Sequence, residues 1–524
     1  MASTEIEFED IIEKFKLFSP YHLKLVVLLA FVSFIDAWHR ANYIMVVEDV
    51  DYWCKYECNE SQFLKVIRNE TNLDRCLKYS FTDNCAFDDL KERSIENCHD
   101  WTYEKPDSFM GEFKLGCQDW KRTLVGTVHS MGLLIGLLII GPLSDKYGRK
   151  VIFILCGIVG GIVGLGKSIT AWYWIYVTLE FVQVLIGTPF SAAFTLGIEM
   201  VPKRNRLRFL GLVSSFFGVG DITLALLAWS VPYWRNLLRV LYAPSFIFLI
   251  YIFAMDESIR WLLIKGRKEE AINIIQKAAK VNKIHISNED LHRMKSEKTS
   301  KNTGLLDLLK ITMKSRKLLL RTLMCVLMWM TSSFSVYTLL INSVSLAGNK
   351  YLNYGAVACA SSMAVLSGGF LMENLKRRVP LITGMGMTGL IFIIQSLVPK
   401  EYSLLAAVFF FIGKYFSSLA FLFIYLYTSE LFPTYTRNTM HAFCSSVGRI
   451  GSILAPQTPL LTQYWSGIPS MLVGSLSLIT AIAIFLVPDT SEDPLPDTVE
   501  EAEAIGHKKN NISKSRVTII SSCC

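Results

Sequence analysis

Charged residues are scarce in this sequence: Asp, Glu, Lys and Arg make up 19% of the 524 residues, whereas hydrophobic residues make up 52%. Soluble domains carry about 25% charged residues, so the composition excludes an ordinary soluble enzyme and predicts a membrane protein. The first twenty residues also lack an apolar core, so no cleavable signal peptide is expected. The apolar residues gather in blocks of about 20, the length that a helix needs to cross a hydrocarbon core of roughly 30 Å.

Twelve such blocks predict an all-α membrane protein with twelve transmembrane helices. We place the blocks at 22–46, 123–142, 150–168, 172–197, 209–230, 237–254, 318–342, 352–372, 379–398, 403–428, 439–462 and 467–487. The predicted organisation is a cytosolic segment 1–21, an N-terminal six-helix bundle 22–254 with an extracellular loop 47–120, a cytosolic linker 255–317, a C-terminal six-helix bundle 318–487 and a cytosolic tail 488–524.

The net charge of +8 is unevenly distributed along the chain. Residues 47–120 carry 9 basic and 17 acidic side chains, a net charge of −8, so the remainder carries +16. The basic residues fall in alternate loops, and the positive-inside rule therefore places these loops and both termini in the cytosol. The excess of basic residues is therefore explained by membrane topology and gives no reason to expect a nucleic-acid partner. The prominent basic residues are Lys146, Arg149, Lys150, Lys203, Arg204, Arg206, Arg208, Lys376, Arg377 and Arg378.

The loop 47–120 is predicted to be a disulfide-stabilised extracellular domain. It holds six of the twelve cysteines, Cys54, Cys58, Cys76, Cys85, Cys98 and Cys117. Six cysteines allow 15 pairings, among which the sequence does not choose. The loop also carries two N-glycosylation acceptors, Asn59-Glu-Ser and Asn69-Glu-Thr, which only a lumenal or extracellular segment can use. The alternative is a glycosylated loop with free thiols, which an oxidising compartment disfavours.

The chain contains an internal repeat. Glu199-Met-Val-Pro-Lys-Arg-Asn-Arg206 follows the fourth block, and Glu430-Leu-Phe-Pro-Thr-Tyr-Thr-Arg437 follows the tenth, 231 residues later. The second block ends in Gly-Pro-Leu-Ser-Asp145-Lys-Tyr-Gly148-Arg149-Lys, and the eighth ends in Glu373-Asn-Leu-Lys-Arg377-Arg, with the acidic residue displaced by 228. Such parallel repeats predict two pseudo-symmetric six-helix bundles that rock around a central site.

One motif in the third block fits the P-loop pattern literally, namely Gly161-Ile-Val-Gly-Leu-Gly-Lys167-Ser. It lies inside an apolar block with Lys167 at the outer end, and it follows no strand, so phosphate binding is disfavoured. Packing of small residues between helices explains the glycines better. His39, His129 and His441 lack the spacing of metal ligands. We therefore expect no metal, no cofactor and no ATP-driven pump.

The motif at 141–150 matches the major facilitator signature G-x-L-x-D-x-x-G-R-[RK], and the chain resembles the organic cation, organic anion and carnitine transporter family of that superfamily. Further segments carry the resemblance, namely Trp234-Arg235, Asp256-Glu-Ser-Ile-Arg-Trp-Leu262, Tyr425-Leu-Tyr-Thr-x-Glu430-Leu-Phe-Pro433 and Arg449-x-Gly-Ser-Ile-x-x-Pro456. The resemblance implies the major facilitator fold and transport by alternating access. In the fourth helix, where the family pattern R-x-x-Q-G begins with arginine, this chain has Glu180.

Charged residues inside the predicted helices are candidates for substrate binding, because a charge at bilayer depth must face a cavity or a partner. Arg449 and Lys414 could hold a carboxylate, whereas Glu180 or Asp221 could hold an ammonium group. Mutual pairing, for example of Glu180 with Arg40, is the alternative. Aromatic rings at helical spacing, which can hold an organic cation, add Trp329, Tyr337 and Tyr425.

The cytosolic motifs are predicted to latch one access state through pairing between charges and helix ends. Glu199 with Arg206, and Glu430 with Arg437, are the expected pairs. The complete predicted gating set is Asp145, Gly148, Arg149, Glu199, Arg206, Glu373, Arg377, Glu430 and Arg437.

The predicted function is secondary transport of small organic cations or zwitterions across the plasma membrane, without enzymatic activity. An organic anion exchanger is the alternative within transport, favoured by Lys414 and Arg449. A ligand-sensing receptor is the alternative of another class, and the duplicated motifs disfavour it. The expected partners are a small organic ion and the lipid bilayer, and the sequence does not identify a coupling ion.

Overall fold

The computed structural model describes residues 8–16, 19–55, 75–79, 95–287, 289, 291, 293–294, 314–374, 376–433, 436–490, 496 and 498–505. Twelve long helical segments, here numbered α1 to α12, dominate these residues. They are α1 Pro20–Val46, α2 Asp119–Tyr147, α3 Arg149–Lys167, α4 Tyr173–Ile186 and Phe190–Met200, α5 Arg206–Ser230, α6 Trp234–Tyr242 with Ala243–Leu249 and Tyr251–Ala254, α7 Arg316–Asn342, α8 Lys350–Asn374, α9 Arg378–Leu397, α10 Ser403–Leu431, α11 Arg437–Leu454 with Ala455–Gln457 and Thr458–Leu461, and α12 Ile468–Ala483 with Ile484–Leu486.

Each predicted apolar block coincides with one of these segments. By length and composition, ten of them could cross a membrane as helices within the described part of the chain. The other two, α6 and α11, are divided by 3₁₀ turns at Pro244 and Pro456. Proline lacks the backbone N–H and clashes with the preceding helical turn, which explains both interruptions.

Segment α4 is interrupted between Ile186 and Phe190, at the sequence Gly-Thr-Pro. A Cβ on Gly187 would lie 2.6 Å from the Cα of Gly160 on α3, so the two backbones touch at this point. Small residues allow such close packing of helices in membranes. The interruption leaves Thr188 outside regular helix, next to the interior of the N-terminal half.

The described part of the 47–120 loop contains four short strands, β1 Tyr52–Cys54, β2 Leu77–Tyr79, β3 Ile95–Asn97 and β4 Trp101–Tyr103. β1 pairs antiparallel with β4, and β2 pairs antiparallel with β3. Two disulfides join Cys54 to Cys98 and Cys76 to Cys117. The predicted sites Cys58, Cys85, Asn59 and Asn69 lie outside the described residues.

Five further helices among the described residues lie outside the twelve segments. Phe8–Ile12 precedes α1, and Phe109–Glu112 lies between β4 and α2. Ile259–Ile264 and Lys268–Asn282 belong to the linker, and Val499–Ala504 belongs to the tail. The linker helix is anchored by Lys277, whose ammonium lies 2.7 Å from Asp256. The tail helix is anchored by Arg321 at the start of α7, which donates to the backbone carbonyl of Ile505 at 3.1 Å.

Candidate functional site

A cluster of charged side chains lies in the centre of the molecule, around Arg40 of α1. Its guanidinium lies 4.5 Å from the centre of the Phe217 ring. Asp36, one helical turn earlier, and Asp221 of α5 both interact electrostatically with it. The hydroxyl of Tyr354 on α8 donates to Asp221 at 3.4 Å. The cluster therefore joins the N-terminal half to the C-terminal half at mid-membrane depth.

Arg449 of α11 lies beside Tyr337 of α7. Its guanidinium donates to the hydroxyl of Tyr337 at 3.2 Å, and it also interacts electrostatically with Tyr425. No carboxylate lies within ion-pair distance of Arg449 among the residues described. An arginine without an anionic partner at bilayer depth is expensive unless a ligand or a cavity compensates it.

Lys414 of α10 is 1% exposed, and its ammonium donates to the backbone carbonyl of Val336 on α7 at 2.9 Å. It also interacts electrostatically with Asp221. Lys414 is therefore buried and held against α7, the helix that carries Tyr337. Its main contribution to the central cluster is therefore its positive charge.

Aromatic rings form a cage in the C-terminal half. Trp329 of α7 is packed edge-on against Tyr425 at 4.4 Å between ring centres, against Phe421 at 5.8 Å and against His441 at 5.4 Å. The indole N–H of Trp329 donates to Thr428 at 3.0 Å, which fixes the ring. Although it lies within a spanning helix, Tyr425 is 39% exposed. Tyr425 therefore borders open space, whereas Trp329 is 1% exposed and lies buried behind it.

Glu180 of α4 lies elsewhere, inside the N-terminal half. Its carboxylate accepts hydrogen bonds from Lys167 and from His129, each at 2.7 Å. Glu180 and Lys167 are both 0% exposed. Its ionic partner is therefore Lys167, and the alternative pairing with Arg40 is wrong. In this conformation Glu180 does not face the central cluster.

The helix ends opposite the 47–120 loop carry two equivalent networks, one in each half. Arg149 binds Glu199 through two hydrogen bonds of 3.1 Å, and Arg377 binds Glu430 at 3.1 and 3.3 Å. A hydroxyl completes each network, since Ser258 donates to Glu199 and Thr490 donates to Glu430. Arg377, Glu430 and Thr490 follow Arg149, Glu199 and Ser258 by 228, 231 and 232 residues, respectively. These displacements match the spacing of the internal repeat.

These partners differ from those expected from the motifs. Arg206 pairs with Glu9 at 3.2 Å and donates to backbone carbonyls at the end of α4, so Glu199 and Arg206 do not form a pair. Arg437 begins α11, and Glu430 is engaged by Arg377. The predicted pairing of Glu199 with Arg206 was therefore wrong, because the bundle brings Arg149 to Glu199. The pairing of Glu430 with Arg437 stays a prediction.

Asp145 and Gly148 lie at the end of α2. Asp145 pairs with Arg149 at 2.8 Å and is 72% exposed. Gly148 has φ +110°, and a Cβ there would lie 2.4 Å from the Glu257 carboxylate. That carboxylate accepts from the backbone amides of Arg149 and Lys150, and its burial raises the pKa of Glu257. The glycine thus allows a carboxylate to cap α3. The side chain of Glu373 lies outside the described residues.

Contacts between the two halves close the end of the bundle that carries the 47–120 loop. Glu48 at the end of α1 forms an ion pair with Lys350 at the start of α8. Gln457 of α11 donates to Thr127 of α2 at 2.6 Å, and Trp229 stacks on Tyr351 at 6.2 Å. The two networks at the opposite end, in contrast, each join residues within one half. The described contacts therefore correspond to a state that is closed at the end of the 47–120 loop.

The sequence reasoning missed several residues of these sites. Lys167 was only noted at the end of the glycine motif of the third block and was assigned no partner. A lone lysine in an apolar block indicates a buried partner. Tyr354 and Phe217 gave no signal, because aromatic residues are common throughout the helices. The position of His129 beside Glu180 depends on the packing of α2 against α4 and has no local signature.

Comparisons with known proteins agree with this architecture. The sequence profile of the family described as "Sugar (and other) transporter" matches residues 79–501. The organic cation transporter protein of Drosophila melanogaster is 30% identical over 96% of this chain and 95% of its own. The human organic cation/carnitine transporter 2 is 32% identical over 82% of this chain and 79% of its own. A partially occluded, inward-open structure of the xylose transporter XylE from E. coli shares the fold, with a TM-score of 0.60 and 13% identity over 91% of this chain and 100% of that chain.

Proposed function

Since the chain belongs to the organic cation and carnitine transporter family of the major facilitator superfamily, we propose that the substrate of this transporter is a small zwitterion with a carboxylate and a quaternary or tertiary ammonium group. The family moves organic solutes across the membrane and is not enzymatic. One observation carries the choice of a zwitterion. Arg449 donates to a hydroxyl and has no carboxylate partner among the described residues, while an aromatic cage lies beside it.

Arg449 is proposed to hold the substrate carboxylate. Its planar guanidinium can donate two parallel hydrogen bonds to a carboxylate. The Tyr337 hydroxyl, 3.2 Å away, orients the guanidinium. The electrostatic interaction with Tyr425 places the guanidinium near the aromatic cage. Both ends of a short zwitterion can therefore be bound by the C-terminal half at once.

The cage of Trp329, Phe421, Tyr425 and His441 is proposed to hold the ammonium group. Ring faces attract organic cations, by about 0.5–2 kcal/mol for each good contact, and more when water is excluded. Tyr425 is the exposed ring of this cage, and Trp329, which its hydrogen bond to Thr428 fixes in place, supports it from behind. Asp221 and Asp36 supply further negative charge from the N-terminal half.

Uptake by variants of Arg449 tests this proposal. Labelled carnitine, tetraethylammonium and a dicarboxylate serve as probes in cells that express the full chain, with surface abundance measured in parallel. Arg449→Lys keeps the positive charge but loses the planar guanidinium with its two parallel donors. It should therefore raise the KM for carnitine more than the KM for tetraethylammonium. Arg449→Ala should reduce carnitine uptake most. Tyr337→Phe is the matched control, because it removes the orienting hydroxyl and retains the ring, and it should have a smaller effect of the same kind.

Equal losses for carnitine and tetraethylammonium at normal surface abundance would assign Arg449 a structural role. Preferred uptake of the dicarboxylate would instead favour an organic anion exchanger. That second candidate has one specific support: the centre holds three cations, Arg40, Lys414 and Arg449, against the two carboxylates of Asp36 and Asp221.

The cytosolic networks are proposed to act as gates. The Arg149–Glu199 and Arg377–Glu430 pairs hold the ends of neighbouring helices in register within each half, and Asp145 supports the first pair through Arg149. Asp145→Asn should lower turnover at unchanged surface abundance, because the residue is exposed and contributes little to the core. Normal turnover of this variant would remove Asp145 from the gate.

We also propose that the chain resides in the plasma membrane with both termini in the cytosol. The distribution of basic loops and the two disulfides of the 47–120 loop support this orientation. Asn59 and Asn69 are then exposed to the glycosylation machinery.

A further inference from the structure

A cavity of about 390 Å³ lies between the two halves, at the end of the bundle that carries the 47–120 loop. Both halves line it: Asp49, Glu104 and Arg122 belong to the N-terminal half, and Ser345 and Lys350 belong to the C-terminal half. The volume falls within the range of about 300–1,000 Å³ that small-molecule sites occupy. We call this space the outer cavity.

A layer of close contacts separates the outer cavity from the central cluster. A Cβ on Gly126 of α2 would lie 2.8 Å from Pro456 of α11 and 2.9 Å from the Tyr43 ring of α1, so the three helices touch there. All three residues line the outer cavity. Tyr43 also interacts electrostatically with Arg40, one helical turn deeper on α1, and with Tyr337. The outer cavity is therefore a compartment separate from the substrate site proposed above.

One ion pair on the wall of the outer cavity is loosely made. Arg122 at the start of α2 lies 3.4 Å from the carboxylate of Asp49, which it contacts through Nη2. The side chain of Arg122 is 13% exposed, whereas that of Asp49 is 54% exposed. A long contact to an exposed carboxylate contributes little to stability. A ligand can therefore separate the two charged groups with little loss.

Arg122 also has a donor available for such a ligand. Its Nε is buried and has no hydrogen-bond partner among the described residues. A buried donor without a partner is unfavourable, so a ligand that accepts from it gains binding energy. The Nε and Nη2 atoms of a guanidinium form one edge, which binds a carboxylate through two parallel hydrogen bonds. A carboxylate from outside can therefore take both donors of Arg122 at once.

A zwitterion suits this ion pair better than an ion of one sign. Its carboxylate replaces Asp49 beside Arg122, and its ammonium group replaces Arg122 beside Asp49, so each charge keeps a counter-ion. A pure cation leaves Arg122 unpaired, and a dicarboxylate leaves Asp49 unpaired, which penalises both. Glu104 lines the same cavity and supplies a second carboxylate for the ammonium group.

We propose that the outer cavity is a second binding site for the transported zwitterion, which inserts between Arg122 and Asp49. The identity of this ligand rests on the zwitterionic substrate proposed above. Rocking of the two halves takes the walls of the cavity apart, because they come from both halves. A ligand bound there therefore stabilises the state that is closed at this end. High external concentrations of the substrate should then slow reopening and inhibit uptake.

Equilibrium binding of labelled carnitine to the purified full chain in lipid nanodiscs tests the site without transport. Arg449→Ala removes the proposed central site, so the binding that remains reports the outer cavity. Addition of Arg122→Gln or Asp49→Asn should weaken this remaining binding about tenfold, the loss expected for one charge-assisted hydrogen bond. Tetraethylammonium and succinate should compete for it about tenfold less well than unlabelled carnitine.

Arg235→Gln is the matched control in this experiment. The side chain of Arg235 is 16% exposed and pairs with Glu112, and the described lining of the outer cavity does not include it. This variant should retain the remaining binding. Asp49→Asn decides the matter if Arg122→Gln fails to fold, because Asp49 is half exposed.

Two failures are distinguishable in these binding data. Carnitine binding that is absent in Arg449→Ala, or that neither Arg122→Gln nor Asp49→Asn weakens, would overturn the outer site. A central site that does not depend on Arg449 shows itself differently, since Arg449→Ala would then leave the number of carnitine molecules bound per chain unchanged. That result would refute the proposed role of Arg449, while the variants of Arg122 and Asp49 still decide the outer site.

The concentration dependence of uptake tests the predicted inhibition. In cells that express the full chain, the initial rate of carnitine uptake should rise, pass through a maximum and fall at higher external concentrations. Arg122→Gln and Asp49→Asn should abolish the fall at unchanged surface abundance, and Arg235→Gln should retain it. Simple saturation in the unmodified chain, or an equal fall in Arg122→Gln and Asp49→Asn, would overturn the inhibitory role of the outer cavity.

Discussion

The buried ion pair of Lys167 and Glu180 gives a quantitative prediction about stability. Both side chains are 0% exposed, and their charged atoms are 2.7 Å apart. Removal of one partner leaves the other charge buried and uncompensated, which typically costs about 3–5 kcal/mol. Replacement of both by uncharged side chains of similar volume removes the desolvation cost of the two ions together. Lys167→Met and Glu180→Gln should therefore each be strongly destabilising, and the double variant should be much less so.

The expected shifts in melting temperature follow from these values. For a bundle of roughly 200 residues, 1 kcal/mol corresponds to about 2–4 °C, so each single variant should melt roughly 6–20 °C lower than the unmodified chain. The double variant should recover more than half of that loss. Melting is measured on the purified full chain in detergent by fluorescence-detected size-exclusion chromatography after heating.

An exposed ion pair provides the control. Arg267 and Glu270 form a pair with 2.6 Å between their charged atoms, but both side chains are about half exposed. Such surface pairs contribute about 0–1 kcal/mol, so Glu270→Gln should scarcely change the melting temperature. The reasoning fails if Glu180→Gln behaves like Glu270→Gln, or if the double variant melts below both single variants.

Three further outcomes are expected elsewhere in the chain. Replacement of both Asn59 and Asn69 by Gln should abolish the shift in gel mobility that deglycosylase treatment produces in the unmodified protein; a persistent shift would place the glycans elsewhere. Gly148→Ala should lower the melting temperature and the surface abundance, because φ is +110° and the new Cβ meets a carboxylate; unchanged melting would contradict this. Glu48→Lys and Lys350→Glu should each reduce uptake roughly two- to fivefold, for a pair worth about 0.5–1 kcal/mol, whereas the double exchange should restore it; failure of this rescue would argue against an extracellular gate.

The position of each spanning segment could be predicted from the sequence alone. Every predicted block coincides with one of the segments α1 to α12, including α6 and α11, which proline divides. The reason is that a membrane span is a local property, since about 20 apolar residues in sequence must satisfy their own backbone hydrogen bonds in lipid. The duplicated motifs at Asp145 and Glu199 likewise identified the two halves, because a repeat is visible in the order of residues.

The pairings of cysteines and charges were decided by tertiary structure. The sequence left 15 disulfide arrangements open, and the folded loop joins Cys54 to Cys98 and Cys76 to Cys117. Glu199 was expected to meet Arg206 in its own motif, but the packing of α3 against α4 brings Arg149 to it. Such contacts depend on the angles and rotations with which helices pack, and no local pattern encodes these.

The candidate site, too, could be predicted in part from the sequence and was decided in part by the tertiary structure. Candidate charges and aromatic residues could be selected from the sequence, because charges at bilayer depth are costly, and the structure places two of them, Arg449 and Tyr337, in contact. Their role in substrate binding stays a prediction. The separation of Glu180 from that site, and its enclosure with Lys167 and His129, became visible only in the folded bundle. A buried charge in the sequence signals that a partner exists, but three-dimensional packing selects which partner it is.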